Sequence, residues 1–185
     1  MSTQIDWTSF LSARNKTKIN ENAKSTFVGI DFGTSTTVVS IATIDQSNGE
    51  LVAKHIALKQ PQLDGSVSTD YRVNSAVAWV NQKKLLIGRG AYDIAYKLKK
   101  NINYWQSFKM ELGTDVGCAY PKSELLGTEI EIINPKDVAR LFFFYLKKQI
   151  ENHVAEENLP PNIKYTVTIP ASFESNQRID LLQCL

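Results

Sequence analysis

The sequence predicts an α/β fold: a mixed sheet flanked by helices, with a smaller α+β subdomain inserted into it. Three observations carry this expectation. Two apolar β-type runs, Phe27-Val-Gly-Ile-Asp-Phe32 and Thr36-Thr-Val-Val-Ser-Ile-Ala-Thr-Ile44, flank a short polar turn. Further on, a long amphipathic stretch is followed by a strand-like run and then by a second helical stretch. Between the two lies a segment of different character with its own strand pair.

Residues 1–25 are polar and lysine-rich, with Ile5, Trp7, Phe10 and Leu11 among their bulky apolar side chains. They read either as a short amphipathic helix or as a weakly docked extension. From Ser25 the character changes to strand, turn, strand. Past the turn signal Asp45-Gln-Ser-Asn-Gly49 comes Leu51-Val-Ala-Lys-His-Ile-Ala-Leu58, which completes a predicted antiparallel meander. The first two strands are apolar on both faces over most of their length, so a sheet covered by helices on both sides is expected.

Residues 60–133 read as the inserted subdomain. They hold a strand pair, 76–80 and 84–87, around Asn81-Gln82, and a helix-like stretch over 91–102. Asn134-Pro135 then supplies an N-cap followed by proline at the first helical position. Val138, Leu141, Phe142, Tyr145, Leu146 and Ile150 recur at three and four residues, predicting a long helix with one buried stripe. Leu159-Pro-Pro161 ends it, a strand is predicted over 163–169, and Pro170 closes that strand. A last helix opens near Ser175. It carries no C-cap glycine or breaker through Leu185, so the chain is read as a fragment of a longer protein.

The 185 residues, 43% apolar, suffice for one lobe with a proper core, and a net charge of +2 with lysines and acids interleaved gives no argument for nucleic acid. Cys118 and Cys184 lie far apart without metal-type spacing and read as reduced packing residues of a cytoplasmic protein. No apolar run reaches the length of a membrane span, and the N-terminus has no secretory h-region. His55 and His153 have no companions at any catalytic spacing.

The chemistry concentrates in the first turn. Gly33 permits a tight turn with positive φ and close approach of a ligand to the backbone. The amides that follow can converge on an anion, and the hydroxyls of Thr34, Ser35, Thr36 and Thr37 add donors without charge. Asp31, at the end of a buried strand, calls for a cation, its hydration shell or a lysine. Acid, glycine and hydroxyls together fit a magnesium-nucleotide site, while a plain hairpin turn with a solvated aspartate remains the alternative. The turn joins two strands and is no Walker loop.

Four segments resemble the seventy-kilodalton heat-shock (DnaK-type) chaperone family. Gly29-Ile-Asp-Phe-Gly-Thr-Ser35 is similar to its first phosphate motif, Gly-Ile-Asp-Leu-Gly-Thr-Thr. Asn74-Ser-Ala-Val-Ala-Trp-Val80 with Leu86-Ile-Gly88 and Ala91 resembles its Pro-Ser-Tyr-Val-Ala-Phe strand and the Leu-Ile-Gly-x-x-Ala that follows. Ser107-Phe-Lys-Met-Glu-Leu-Gly113 falls where the family has a catalytic lysine. Val167-Thr-Ile-Pro-Ala-Ser-Phe-Glu-Ser-Asn-Gln-Arg178 is similar to Val-Thr-Val-Pro-Ala-x-Phe-x-x-x-Gln-Arg, the most specific of the four. The resemblance spans roughly residues 26–185. Ser35 stands in place of the second threonine, Met110 in place of the arginine after the lysine, and the extension before residue 25 is not typical of the family.

The resemblance implies the first lobe of an actin-like (ribonuclease H-like) ATPase domain. It also implies ATP or ADP with Mg2+, and K+ as a further candidate cation, for a chaperone that hydrolyses ATP in the course of protein folding. Asp31 would organise the water and cations around magnesium, Gly33, Thr34, Ser35 and Thr36 would bind β- and γ-phosphates, and Lys109 would place charge on the γ-phosphate. Pro170 and Arg178 would relay nucleotide state to a peptide-binding domain. Unfolded peptide clients and co-chaperones would be met by parts of the protein beyond residue 185, and the fragment alone is expected to turn over negligibly. An actin-like filament ATPase, a sugar-kinase-type phosphotransferase and a degenerate partner-binding lobe are the competing readings. A kinase would need a sugar-binding acid, which is not found here, and a filament protein should lack the Ile-Pro-Ala-Ser-Phe and Gln-Arg pairing.

Overall fold

A computed structural model describes residues 24–45, 47–81, 84–114, 120–121 and 131–185. Its centre is a mixed sheet. Strand β1 (Ser25–Phe32) pairs antiparallel with β2 (Thr36–Ile44), which pairs antiparallel with β3 (Leu51–His55). The meander expected from the sequence is present. On the other side of β1 runs β10 (Asn162–Val167), parallel to it with Ile30 opposite Val167. The order β10-β1-β2-β3 thus brings residues from the two ends of the described chain side by side.

The third strand is shorter than predicted. Ile56 donates its amide to Val39 O at 3.0 Å and is buried, and the chain then leaves the sheet to form β4 (Leu58–Pro61), paired with β5 (Val67–Asp70). Next come β6 (Arg72–Asn74), which pairs with the start of β2, and a three-stranded sheet of β7 (Ala76–Asn81), β8 (Lys84–Ile87) and β9 (Tyr104–Gln106). β5, β6 and β9 were not legible in the sequence because they are only three or four residues long, too short to show a period. The helix expected over 91–102 is also reduced, to α1 (Arg89–Asp93) and one 3-10 turn at Ala95–Lys97. Asn101 adopts φ 58°, and the Asn103 side chain accepts from the Lys99 amide, so local side-chain bonding displaces helical bonding there.

The long helix α2 (Pro135–Glu156) begins as predicted. The Asn134 side chain accepts from the Asp137 amide at 3.0 Å, with Pro135 inside the first turn. Its buried stripe, Val138, Ala139, Phe142, Phe143, Leu146 and Ile150, packs with Val28, Ile30, Phe32, Val39 and Ile41 of the sheet. The last helix, α3 (Ser175–Cys184), contributes Leu181 and Cys184 to the same core. Trp79 and Trp105 are buried as predicted, and of the phenylalanine run Phe144 alone faces solvent. Cys184 is a free, buried thiol, while Cys118 and residues 1–23 of the extension expected over 1–25 lie outside the described residues, and Ser25 already belongs to β1.

The two faces of the sheet are covered to different degrees among the described residues. Phe27, Gly29, Val38, Ser40 and Ala42, which alternate with the buried set, stay half-buried among the described residues, and Asp31 is exposed. The second face mixes small and polar residues with its apolar ones, so its alternation is real although the strand reads as uniformly apolar. Among the described helices, none is long and apolar enough to cross a membrane.

One cluster fixes the site described next. Phe32 is fully buried, with ring centroids 4.9 Å from Phe143 and 5.9 Å from both Phe108 and Phe142. Each such ring pair contributes about 0.5–1.5 kcal/mol beyond simple burial. Phe32 sits between Asp31 and Gly33, so this packing anchors the end of β1 where the polar turn begins.

Candidate phosphate-binding turn and its lysine

The turn between β1 and β2 is held from below by a residue that sequence reasoning left without a role. The Ser75 hydroxyl donates to Gly33 O at 2.8 Å and pairs with the Thr37 hydroxyl at 3.1 Å, and the Ser75 amide donates to Ser35 O at 2.9 Å. Ser75 is buried. It lies within the quoted Asn74-Ser-Ala-Val segment, so the motif contained the signal but no local pattern told which residue it would touch.

Two expectations about the turn are corrected here. Gly33 is not among the residues with positive φ. Its requirement is spatial: a Cβ at this position would lie 2.1 Å from Thr36 O, so the turn closes on itself across the space a side chain would fill. Thr37 does not join the row of available hydroxyls either, because it is fully buried and bonded to Ser75. Within β2 the side chains alternate, which sends Thr37 inward and Thr36 outward, while in the turn before it Ser35 is exposed and Thr34 half-buried.

Asp31 is exposed rather than buried, and its carboxylate accepts from the Thr168 hydroxyl at 2.7 Å. Thr168 follows β10, and its amide donates to Ile30 O at 2.9 Å, so the parallel pairing itself brings it beside Asp31.

Lys109 reaches the same place from the other side. A 3-10 turn, Phe108–Glu111, carries it, with Phe108 and Leu112 buried on either side and Met110 exposed. The Lys109 ammonium donates to Phe32 O and lies 5.2 Å from the centre of the Phe32 ring and 5.3 Å from that of Phe173. The lysine is itself only 5% exposed. Burial pulls its pKa below the ordinary lysine value, and the nearby Asp31 carboxylate opposes that shift.

Pro170 and Arg178 converge on one backbone unit. The Phe173 amide donates to Pro170 O at 3.1 Å, and Arg178 Nε donates to Phe173 O at 3.1 Å. Phe173, which the sequence did not single out for a role, presents its ring to Lys109. The structure thus brings together Asp31, the Gly33 turn, Lys109, Thr168 and Phe173, and links Pro170 and Arg178 to them through Phe173.

No protein-family model matches the chain, and no curated protein matches it. The chemistry of the site therefore rests on its geometry. A cleft of about 710 Å³ lies elsewhere, between α2, α3 and the β10 edge, and none of the site residues above lines it.

Among the described residues no group of three or more His, Cys, Asp or Glu side chains is placed to hold a metal ion. The Ser35 and Thr36 side chains are exposed, and the Lys109 ammonium lies beside the same turn through its bond to Phe32 O.

Proposed function

We propose that this chain forms one wall of a magnesium-nucleotide site and belongs to the first lobe of an actin-like ATPase domain of a heat-shock-type chaperone. The observation that carries the reading is the joining of Lys109 to the phosphate turn. Its ammonium bonds the carbonyl of Phe32, the residue between Asp31 and Gly33, across 77 positions of sequence. A lysine in solvent would gain nothing from that placement, and a desolvated cation next to a glycine turn and a carboxylate has the parts that phosphoryl transfer uses.

In this reading each residue has a physical task. A bound magnesium nucleotide supplies the electrophilic γ-phosphorus and the divalent charge that neutralises its oxygens. Asp31, oriented by Thr168, accepts hydrogen bonds from waters near the cation. The turn at Gly33, Thr34, Ser35 and Thr36, whose closure needs glycine at position 33, would offer backbone amides and hydroxyls to the phosphate oxygens. Lys109 holds positive charge where negative charge builds up during transfer, and its partial burial makes that charge weigh more than it would in water. The second wall and any peptide-binding part belong, in this reading, to a further portion of the protein, so the 185 residues alone bind nucleotide weakly.

The test is Lys109→Ala in a two-lobed form of the protein. Nucleotide affinity stays within a few-fold of wild type while single-turnover hydrolysis slows by about two orders of magnitude or more, the size typical for removing one electrostatic contact to the transition state. Normal hydrolysis in the variant overturns the assignment.

A further inference from the structure

C-terminal to Lys109, Gly113 meets the last helix, while Glu111 accepts from the Tyr120 hydroxyl at 2.6 Å. Gly113, four residues on, has φ +78°, and a Cβ there would lie 2.6 Å from both Cγ and N of Gln177, so its backbone is pressed against the first turn of α3. The Gly113 amide donates to Asp180 Oδ2 at 2.9 Å. The other oxygen of that carboxylate, Oδ1, pairs with Lys136 at 3.2 Å at the start of α2. Between Lys109 and Gly113 there is little slack: Met110 N donates to Ser107 O at 3.0 Å, Leu112 N to Lys109 O at 3.4 Å, and Leu112 is buried. In front of α3, Phe173 lays its ring against the ammonium.

We propose that Asp180 is a positioning residue for Lys109: by fastening Gly113 to α3 it keeps the lysine's turn shut against Phe32 and Phe173, so that a displacement of α3 displaces the lysine. The catalytic importance of this latch rests on the reading of Lys109 given above. Its mechanics do not. The link crosses 67 positions of sequence and involves no residue of the phosphate turn. A backbone amide bonded to a carboxylate is stronger than one bonded to a neutral acceptor, and the Lys136 ion pair fixes the orientation of that carboxylate. Asp180 therefore ties α3 and the start of α2 to the turn that carries Lys109.

The experiment reads Lys109 directly in the 185-residue chain, without nucleotide. Native-state acylation with a succinimidyl ester, quantified by mass spectrometry, compares Lys109 with the exposed lysines of the same molecule. In wild type Lys109 reacts slowly. Asp180→Ala raises its rate at least tenfold relative to Lys54 and Lys59, with an unchanged circular dichroism spectrum and faster hydrogen exchange at Gly113. Asp180→Asn keeps an acceptor oxygen for Gly113 and leaves Lys109 protected, and Lys136→Ala, which removes only the ion pair, does the same to within about threefold.

Faster exchange at Gly113 with no change at Lys109 overturns the proposal, as does an Asn variant as reactive as the Ala variant. If Asp180→Ala does not fold, the wild type decides: Gly113 exchange and Lys109 acylation must show the same opening constant across low urea concentrations, and different urea dependences reject the latch. Failure of any of these leaves the nucleotide-site reading standing. Failure of nucleotide binding leaves the latch standing.

Discussion

The Thr168 hydroxyl donates to the Asp31 carboxylate at 2.7 Å, joining residues 137 positions apart at the C-terminal ends of two parallel strands. This bond defines where the exposed acid points. Thr168→Val removes it while keeping the shape of the side chain. The 185-residue chain should lose no more than about 1 kcal/mol of stability, since both groups are solvent-exposed. In the two-lobed protein, calorimetric affinity for magnesium-ATP should fall by roughly tenfold, the equivalent of one hydrogen bond of about 1.4 kcal/mol. Thr168→Ser should restore it, and a valine variant with wild-type affinity would show that Asp31 is oriented by other means.

Gly33 tests whether the turn binds by its backbone. With Thr36 O at 2.1 Å from an added Cβ, even Gly33→Ala forces the turn open, and Gly33→Val adds two methyls where phosphates would approach. Overpacking of this kind costs about 1–3 kcal/mol, measurable as a lower urea midpoint with an unchanged slope. Magnesium-dependent ATP binding by the two-lobed protein should disappear in the valine variant. Equal affinity of Gly33→Val and wild type would remove the turn from the site.

Cys184 gives a pH signature independent of function. Its thiol is held among core residues, and burial raises its pKa from 9.0 to about 11, with Asp180 and Asp137 adding to the rise and Arg140 and Lys136 opposing it. A group whose folded pKa lies above its unfolded one stabilises the protein fully below the unfolded value and loses that contribution as pH rises through the folded one. Wild type should therefore exceed Cys184→Ala in stability by about 1 kcal/mol near pH 7, with the gap closing between pH 9 and 11. Parallel stability curves across that window would mean the thiol ionises as freely in the fold as out of it.

Arg178 carries the chaperone part of the reading. Its bond to Phe173 O holds the residue whose ring faces Lys109, and Arg178 as a residue is exposed. Arg178→Ala should leave ATP affinity of the full protein nearly unchanged while reducing ATP-driven release of a bound peptide. A ligand shifts a two-state element only through contacts that differ between the states, and this variant deletes one such contact outside the site. Peptide dissociation rates with and without saturating ATP measure it. Undiminished acceleration by ATP would leave Arg178 as a helix residue only.

The sequence by itself determined the local elements whose signals are short-range. The hairpin around Gly33, the Asn134-Pro135 start of α2 and its stripe of Val138, Phe142, Leu146 and Ile150 were all legible, because capping and apolar period act within a few residues. So was the choice of Asp31, Gly33 and Lys109 as candidates, from residue type and from resemblance. Tertiary structure alone decided which hydroxyls face outward: Thr37 is buried against Ser75, while Thr36 on the other face of β2 and Ser35 in the turn stay exposed. It alone buried Lys109 between two rings, set Thr168 beside Asp31, and bound Gly113 to Asp180. Those contacts join residues 38 to 137 positions apart. A periodic pattern states which face of an element is apolar, but what lies across from that face is fixed only when distant elements pack against it.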